Sequence, residues 1–136
     1  MKTGIKFFIY TAMKKIEIVK NFIKAYNSLN VESMLAYLHP EIEFKNISNG
    51  VENAHTNGIE KFSELANNSI NIFSERKQKI TSYRESNDAV NVEINFRGIL
   101  AIDLPIGLKA RETLIMNGKS TYVFKDNLII SLVDES

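Results

Sequence analysis

The sequence VNVEINFRG, Val90–Gly98, has the strongest structural signal in this chain, because its apolar and polar residues alternate strictly. The apolar members are Val90, Val92, Ile94 and Phe96. Such alternation is typical of a β-strand with one buried face. We therefore expect Arg97 and the other polar members to lie on the outer face. Gly98 follows at a position where a bulge could reverse that assignment.

The sequence before residue 73 follows a helical period instead. Apolar residues recur at intervals of three and four, as on one face of an α-helix, and predict helices over residues 14–29, 31–38 and 59–73. Pro40 ends the second helix, because proline disfavours helical backbone at the preceding residue. Asn57 is the expected N-cap of the third.

A period of two dominates from residue 80 onwards. It predicts strands over residues 80–84, 90–97, 99–104, 108–116, 121–124 and 128–133, after one short early strand over residues 42–44. Residues 48–58 are predicted as a loop, and Asn117-Gly118 and Asp126-Asn127 as turns. Helices first and an antiparallel meander afterwards indicate an α+β fold with the helices on one face of the sheet.

The composition excludes several classes of protein. The 136 residues include 44% hydrophobic and 24% charged side chains, as expected for one globular domain. A net charge of +1 argues against nucleic-acid binding, and the basic segment Arg76–Lys79 is interpreted as a solvated strand face. With no cysteine and only His39 and His55, we expect no metal and no other cofactor. No apolar run reaches the roughly 20 residues of a membrane helix, so we expect no membrane partner.

The N-terminal residues are interpreted as lying outside the folded domain. Residues 1–13 are interpreted as a leader or an over-extended start, because their apolar run is too short for a signal peptide. The folded domain is predicted to cover residues 14–136. We accordingly expect a cytoplasmic protein.

Three segments resemble the nuclear transport factor 2-like superfamily, which includes the SnoaL-like domains and the ketosteroid isomerases. They are Ile18–Phe44, Thr56–Ala66 and Gly118–Asp134. The resemblance implies a cystatin-like cone, in which three N-terminal helices pack in the concave face of a strongly curved, mostly antiparallel sheet and enclose a pocket. Its members include isomerases, epoxide hydrolases, polyketide cyclases, binding proteins and dimerisation modules.

The implied pocket is apolar with one polar end, at Asn46 and Tyr26. Its expected ligand-binding residues are Phe22, Tyr26, Leu38, Phe44, Asn46, Phe62, Phe96 and Tyr122. We expect it to hold a small apolar molecule.

Ketosteroid-type proton transfer does not fit this sequence. The resemblance places Phe22 at the position of the hydrogen-bond donor, Asn46 at that of the base and Ser120 near that of the second acid. Phenylalanine donates no hydrogen bond and asparagine is no base. His39 and His55 are expected at the surface.

An epoxide-hydrolase-like set is the other catalytic option. Asn46, Arg97, Asp103 and Asp134 lie in loosely similar regions of the sequence, although Arg97 is expected to face outward. Three functions therefore stay open. The first is a binding protein, the second a hydrolase or isomerase with a water held by Asn46, Tyr26 and Asp103, and the third a dimerisation module with a filled cone.

A homodimer is expected through the outer face of the sheet. Apolar residues assigned to that face are Leu114, Met116, Val123, Ile129 and Val133. Ile130 is expected to point into the core. An exposed apolar sheet face usually marks a partner surface.

Overall fold

The computed structural model describes residues 14–136, so the predicted leader, residues 1–13, lies outside the described residues. The helices are α1 Lys15–Asn27, α2 Val31–Leu35 and α3 Ile59–Ser69. The strands are β1 Leu38–Ser48, β2 Val51–Asn57, β3 Phe73–Ser86, β4 Ala89–Leu100, β5 Thr113–Lys125 and β6 Leu128–Glu135. Within residues 14–136, no helix combines the length and the apolar character needed to cross a membrane.

All six strands form one mixed sheet in the order β2-β1-β6-β5-β4-β3. Only the pairing of β1 with β6 is parallel, and the others are antiparallel. Helix α1 packs against β3 and β4, and α3 packs against β1 and β2. Three helices packed on one face of a mostly antiparallel sheet confirm the predicted α+β fold.

Helix α1 is held on the sheet at both ends by β3. Its apolar face is buried, and the main-chain N–H of Ile16 donates to Glu85 Oε1 at 3.1 Å. At the other end the side chain of Asn27 accepts from the main-chain N–H of Gln78 at 2.7 Å and donates to its carbonyl at 3.1 Å. These contacts orient the inner face of α1 towards the sheet.

The segment around β1 and β2 differs from the prediction. Helix α2 ends at Leu35, and the chain is already extended from Leu38, where helix was expected. Residues 51–57, predicted as a loop, form β2. Asn49 and Gly50 both have positive φ, of 51° and 77°, which suits a tight hairpin turn. The sequence VENAHTN has no apolar alternation because β2 is an edge strand with little burial.

The start of α3 also differs from the expected capping box. Asn57 is the last residue of β2 and pairs with Glu43. Gly58, with φ of 88°, is the N-cap, and no side chain caps the helix. Only glycine adopts that φ without strain.

Two glycines expected to interrupt strands lie inside them. Gly98 pairs with Leu114 without a bulge, and a Cβ there would lie 2.7 Å from Phe73 and 2.8 Å from Phe96. Gly118 belongs to β5 rather than to a turn, and a Cβ there would lie 2.7 Å from the carbonyl oxygen of Glu135. Each glycine therefore marks a close approach. The predicted strands 99–104 and 108–116 fall largely in the loop 101–112.

The hairpin between β5 and β6 forms at the predicted turn, where Asp126 and Asn127 have φ of 55° and 62°. Val123 pairs with Ser131 and Phe124 with Ile129, which leaves Ile130 unpaired in a bulge. The bulge lets both Ile129 and Leu132 face the core, with exposures of 0% and 2%. The outward assignment of Ile129 was therefore wrong, and Ile130 is only partly buried.

The outer face carries fewer apolar residues than expected. Ile115 pairs with the exposed Arg97, and Val133 pairs with Thr121, so these side chains and Val123 lie on the outer face. Leu114 and Met116 pair with Gly98 and Phe96 and belong to the inner face, which corrects their assignment. Arg97 is outside, as expected.

The homodimer stays a prediction, and Ile115 is the residue that tests it best, because 69% of its surface is exposed. We expect a sedimentation mass near twice the 15.5 kDa of the chain. Ile115→Glu should bring the mass down to that of one chain, since a charge cannot be buried unpaired in the interface. Ile106→Glu, in the loop 101–112, is the control and should leave the dimer intact. A single-chain mass for the unmodified protein would contradict the prediction.

Candidate ligand cavity

A cavity of about 260 Å³ lies between the helices and the inner face of the sheet. Its apolar wall includes Phe22, Phe44, Phe62, Phe73, Tyr122 and Leu132. Its polar lining includes Tyr26, Asn46, Arg76, Gln78 and Asp134. The cavity thus has the apolar body and the few polar groups that are typical of small-molecule sites.

The sheet register brings the polar residues together. Asn46 on β1 pairs with Ala54 on β2 and with Asp134 on β6, and Asp134 pairs with Ser120 on β5. Residues paired across neighbouring strands point to the same face. Asn46 and Asp134 therefore project side by side from the inner face, although they lie at opposite ends of the sequence.

The aromatic wall is built from edge-to-face contacts. The rings of Phe22 and Tyr122 lie 6.0 Å apart at 75°, and those of Phe44 and Phe62 lie 5.5 Å apart at 83°. Phe22 also contacts Phe62, with ring centroids 6.5 Å apart. Such contacts add stability beyond area burial and fix the shape of the wall.

Asp134 is the acidic group of the cavity. Burial raises the pKa of its carboxyl from 3.8 to about 6, and the hydrogen bond donated by Ser120 Oγ to Oδ1 at 2.6 Å opposes that rise. No basic side chain among residues 14–136 forms an ion pair with it. The side chain remains partly exposed, because it lines the cavity. A carboxyl with this pKa can both take up and release a proton near neutral pH.

Tyr26 and Arg76 form a stacked pair beside it. The guanidinium carbon of Arg76 lies 3.6 Å from the centroid of the Tyr26 ring, and Arg76 Nε donates to the carbonyl of Tyr26 at 2.8 Å. Burial lowers the pKa of Arg76. Burial also raises the pKa of the Tyr26 phenol; Arg76 opposes that rise, and Asp134 adds to it. The phenol therefore stays protonated at neutral pH.

A second space of about 240 Å³ adjoins the cavity and is more open to solvent. The two share Phe73 and four polar residues, Tyr26, Asn46, Gln78 and Asp134, so most of the polar lining lies where they meet. Phe96 borders this outer space. The shared polar residues can thus be reached both from the cavity and from the outer space.

The expected ligand-binding residues divide into three groups. Those lining the cavity are Phe22, Tyr26, Phe44, Asn46, Phe62 and Tyr122. Phe96 borders the outer space, and Leu38 is a core residue with 3% exposure that does not line the cavity.

Sequence reasoning missed Arg76 and Gln78, because the basic segment Arg76–Lys79 was assigned to a solvated face. Alternation within that segment was the signal available, and it places Arg76 and Gln78 inside and the lysines outside.

The other polar candidates lie away from the cavity. His39 Nδ1 accepts from the main-chain N–H of Glu41, and His55 pairs with Glu43 at 3.1 Å. Asp103 accepts from the main-chain N–H of Ala110 in an exposed loop, so it does not join Asn46 and Tyr26 as expected. Of the epoxide-hydrolase-like set, only Asn46 and Asp134 meet. Residues 14–136 contain no cluster of three His, Asp or Glu side chains placed to hold a metal.

No protein-family profile and no curated protein matches the sequence. Solved structures do match. A proposed polyketide cyclase from Xanthomonas campestris has a TM-score of 0.76 at 15% identity, with 90% of this chain and 89% of that chain covered. An LEH-like epoxide hydrolase from M. tuberculosis has a TM-score of 0.71 at 16% identity, with 89% and 80% covered.

An NTF2-like protein of unknown function from Cytophaga hutchinsonii has a TM-score of 0.63 at 16% identity, with 90% and 88% covered. Identities this low show the fold and leave activity open. The chain therefore has the NTF2-like, cystatin-like fold, which a proposed SnoaL-like polyketide cyclase among the matched structures shares, as the resemblance implied.

Proposed function

We propose that the protein binds a small, mainly apolar molecule in the cavity, with the polar end of that molecule at Asn46, Tyr26 and Asp134. The observation that carries the proposal is an aromatic cavity of about 260 Å³ on which these polar groups converge. Packed interiors hold few voids larger than one water, and this cavity is many times larger than that. The volume lies just below the roughly 300 Å³ at which ligand pockets usually begin, so the converging polar groups, and not the size alone, favour binding over a self-filled dimerisation module.

Proton transfer on the bound molecule is the second candidate function, and Asp134 favours it. A carboxyl whose pKa is raised to about 6 by burial is suited to general acid–base catalysis. The carboxylate would accept a proton from the bound molecule or from a water beside it and return that proton later in the reaction. The fold also occurs in a proposed polyketide cyclase and in an epoxide hydrolase, so it is compatible with a pocket enzyme.

Native mass spectrometry of the protein purified from its own cells tests the binding proposal. We expect a co-purifying small molecule. Asn46→Leu should weaken its binding by about 1–3 kcal/mol, since a polar group of the molecule would lose its partner. The other residues that line the cavity stay unchanged.

The matched control is Asn95→Leu. Asn46 donates to Asn53 at 2.7 Å beside the cavity, and Asn95 donates to Asn117 at 2.9 Å on the outer face. Both variants lose one cross-strand amide hydrogen bond, but only the first touches the cavity. Equal affinity in the two variants would remove Asn46 from the site, and an empty protein would contradict the proposal.

A further inference from the structure

Arg76 is buried in the cavity wall without an anionic partner. Its exposure is 5%, yet no carboxylate of residues 14–136 forms an ion pair with it. A buried cation is costly unless it is paired and hydrogen-bonded. Arg76 is also the one basic residue among the described residues that line the cavity. The protein therefore keeps a positive charge in this wall without a direct ion pair, and Asp134 is the one acidic residue among the described residues that line the same cavity.

Arg76 has more hydrogen-bond donors than the partners that the described protein gives it. A guanidinium has five N–H groups. Nε donates to the carbonyl of Tyr26, and Nη2 lies 4.0 Å from the sulfur of Met34, which is a weak acceptor. The remaining N–H groups belong to a planar fork that matches a carboxylate in two parallel hydrogen bonds.

A purely structural role explains only part of this arrangement. The bond from Nε to Tyr26 helps to end α1, where a cation is favourable near the helix C-terminus. That role uses one of the five N–H groups of the guanidinium. Gln78, two residues along the same face of β3, has a buried Oε1 without a partner. This wall thus lacks polar partners that a ligand or a water would supply.

We infer that the cavity ligand is a small monocarboxylate, with its carboxylate on the Arg76 guanidinium and its apolar body against the aromatic wall. The inference rests on the proposed function of the same cavity. One guanidinium matches one negative charge, whereas a phosphate monoester carries close to two at neutral pH and presents three strong acceptor oxygens. Asp134 would repel the carboxylate, so the anionic group lies at the Arg76 end, and any second, uncharged polar group of the molecule would meet Asn46, Tyr26 and Asp134.

The test is binding of hexanoate, benzoate and 3-phenylpropanoate, each compared with its own primary amide, by calorimetry at about pH 7. Each amide has nearly the shape of its acid but carries no charge. We expect at least one acid to bind about tenfold or more tightly than its amide, as one good charge-assisted contact allows.

Arg76→Met should abolish that preference and leave the affinity for the amide within about twofold. Arg76→Lys keeps the charge and loses the fork, so the preference should fall but not vanish. Arg97→Met is the control, because Arg97 is exposed on the outer face of the neighbouring strand β4. Thermal unfolding of each variant separates loss of binding from loss of folding, and Arg76→Lys keeps the test valid if Arg76→Met does not fold.

The outcomes separate this inference from the proposed function. Amides that bind as well as their acids, or a preference that survives Arg76→Met, overturn the carboxylate inference and leave the binding cavity in place. If neither acids nor amides bind at millimolar concentration, the binding cavity itself is contradicted.

Discussion

Asp134→Asn should raise the free energy of unfolding by about 2–3 kcal/mol near pH 8 and leave it almost unchanged near pH 4. Burial raises the pKa of Asp134 from 3.8 to about 6 in the folded protein. The folded state therefore binds this proton more tightly than the unfolded chain does. As the pH rises from about 4 to about 6, the stability contributed by Asp134 falls, and above that range the full penalty of a buried carboxylate remains.

Urea unfolding of both proteins at the two pH values measures this difference. Asparagine keeps an acceptor for the hydrogen bond from Ser120, so the substitution mainly removes the charge. Asp88→Asn, in the exposed turn before β4, is the control and should change stability by less than about 0.5 kcal/mol at either pH. An equal gain in the free energy of unfolding at both pH values would mean that the amide packs better than the carboxyl. No gain near pH 8 would mean that the pKa is not raised.

The carboxylate of Asp134 lowers the free energy of unfolding, so its presence is not explained by stability. An asparagine at position 134 would line the cavity and accept from Ser120 without the penalty. Buried ionisable groups with shifted pKa values concentrate at functional sites, and sites often sacrifice stability for function. Asp134 and the unpaired Arg76 both follow this pattern in one cavity. Their shared location supports a functional cavity more strongly than either residue alone.

The parts of the fold that local patterns determine could be predicted from the sequence. The alternation of Val90, Val92 and Ile94 predicted an inner face, and all three are buried. The turn at Asp126-Asn127 was also predicted, because asparagine and aspartate tolerate positive φ. The segment 51–57 has no such signal, since an edge strand can be polar on both faces.

The site depends on contacts that no local pattern reports. Asn46 meets Asp134 only through the parallel pairing of β1 with β6, which joins the two ends of the domain. The burial of Arg76 could not be predicted from its segment, because a run of basic residues is usually solvated. Its burial follows from the docking of α1 on β3, where the carbonyl of Tyr26 accepts from its guanidinium. The aromatic lining was easier to expect, because the family resemblance implied a pocket.

Phe22→Ala should lower the free energy of unfolding by about 3–4 kcal/mol, as is usual for truncating a buried phenylalanine. Phe22 is 3% exposed and contacts both Tyr122 and Phe62, so its loss widens the cavity and removes two aromatic contacts. Urea unfolding measures the loss. Tyr83→Ala is the control, because Tyr83 is 52% exposed and should cost about 1 kcal/mol or less.

The size of that loss also reports on the packing between α1 and the sheet. Neighbouring side chains cannot collapse into the space if the aromatic wall is rigid, and the full cavity penalty then appears. A loss as small as that of Tyr83→Ala would mean that α1 closes over the cavity once the ring is gone. The aromatic wall would then be able to repack, and the expectation of a rigid wall would be wrong.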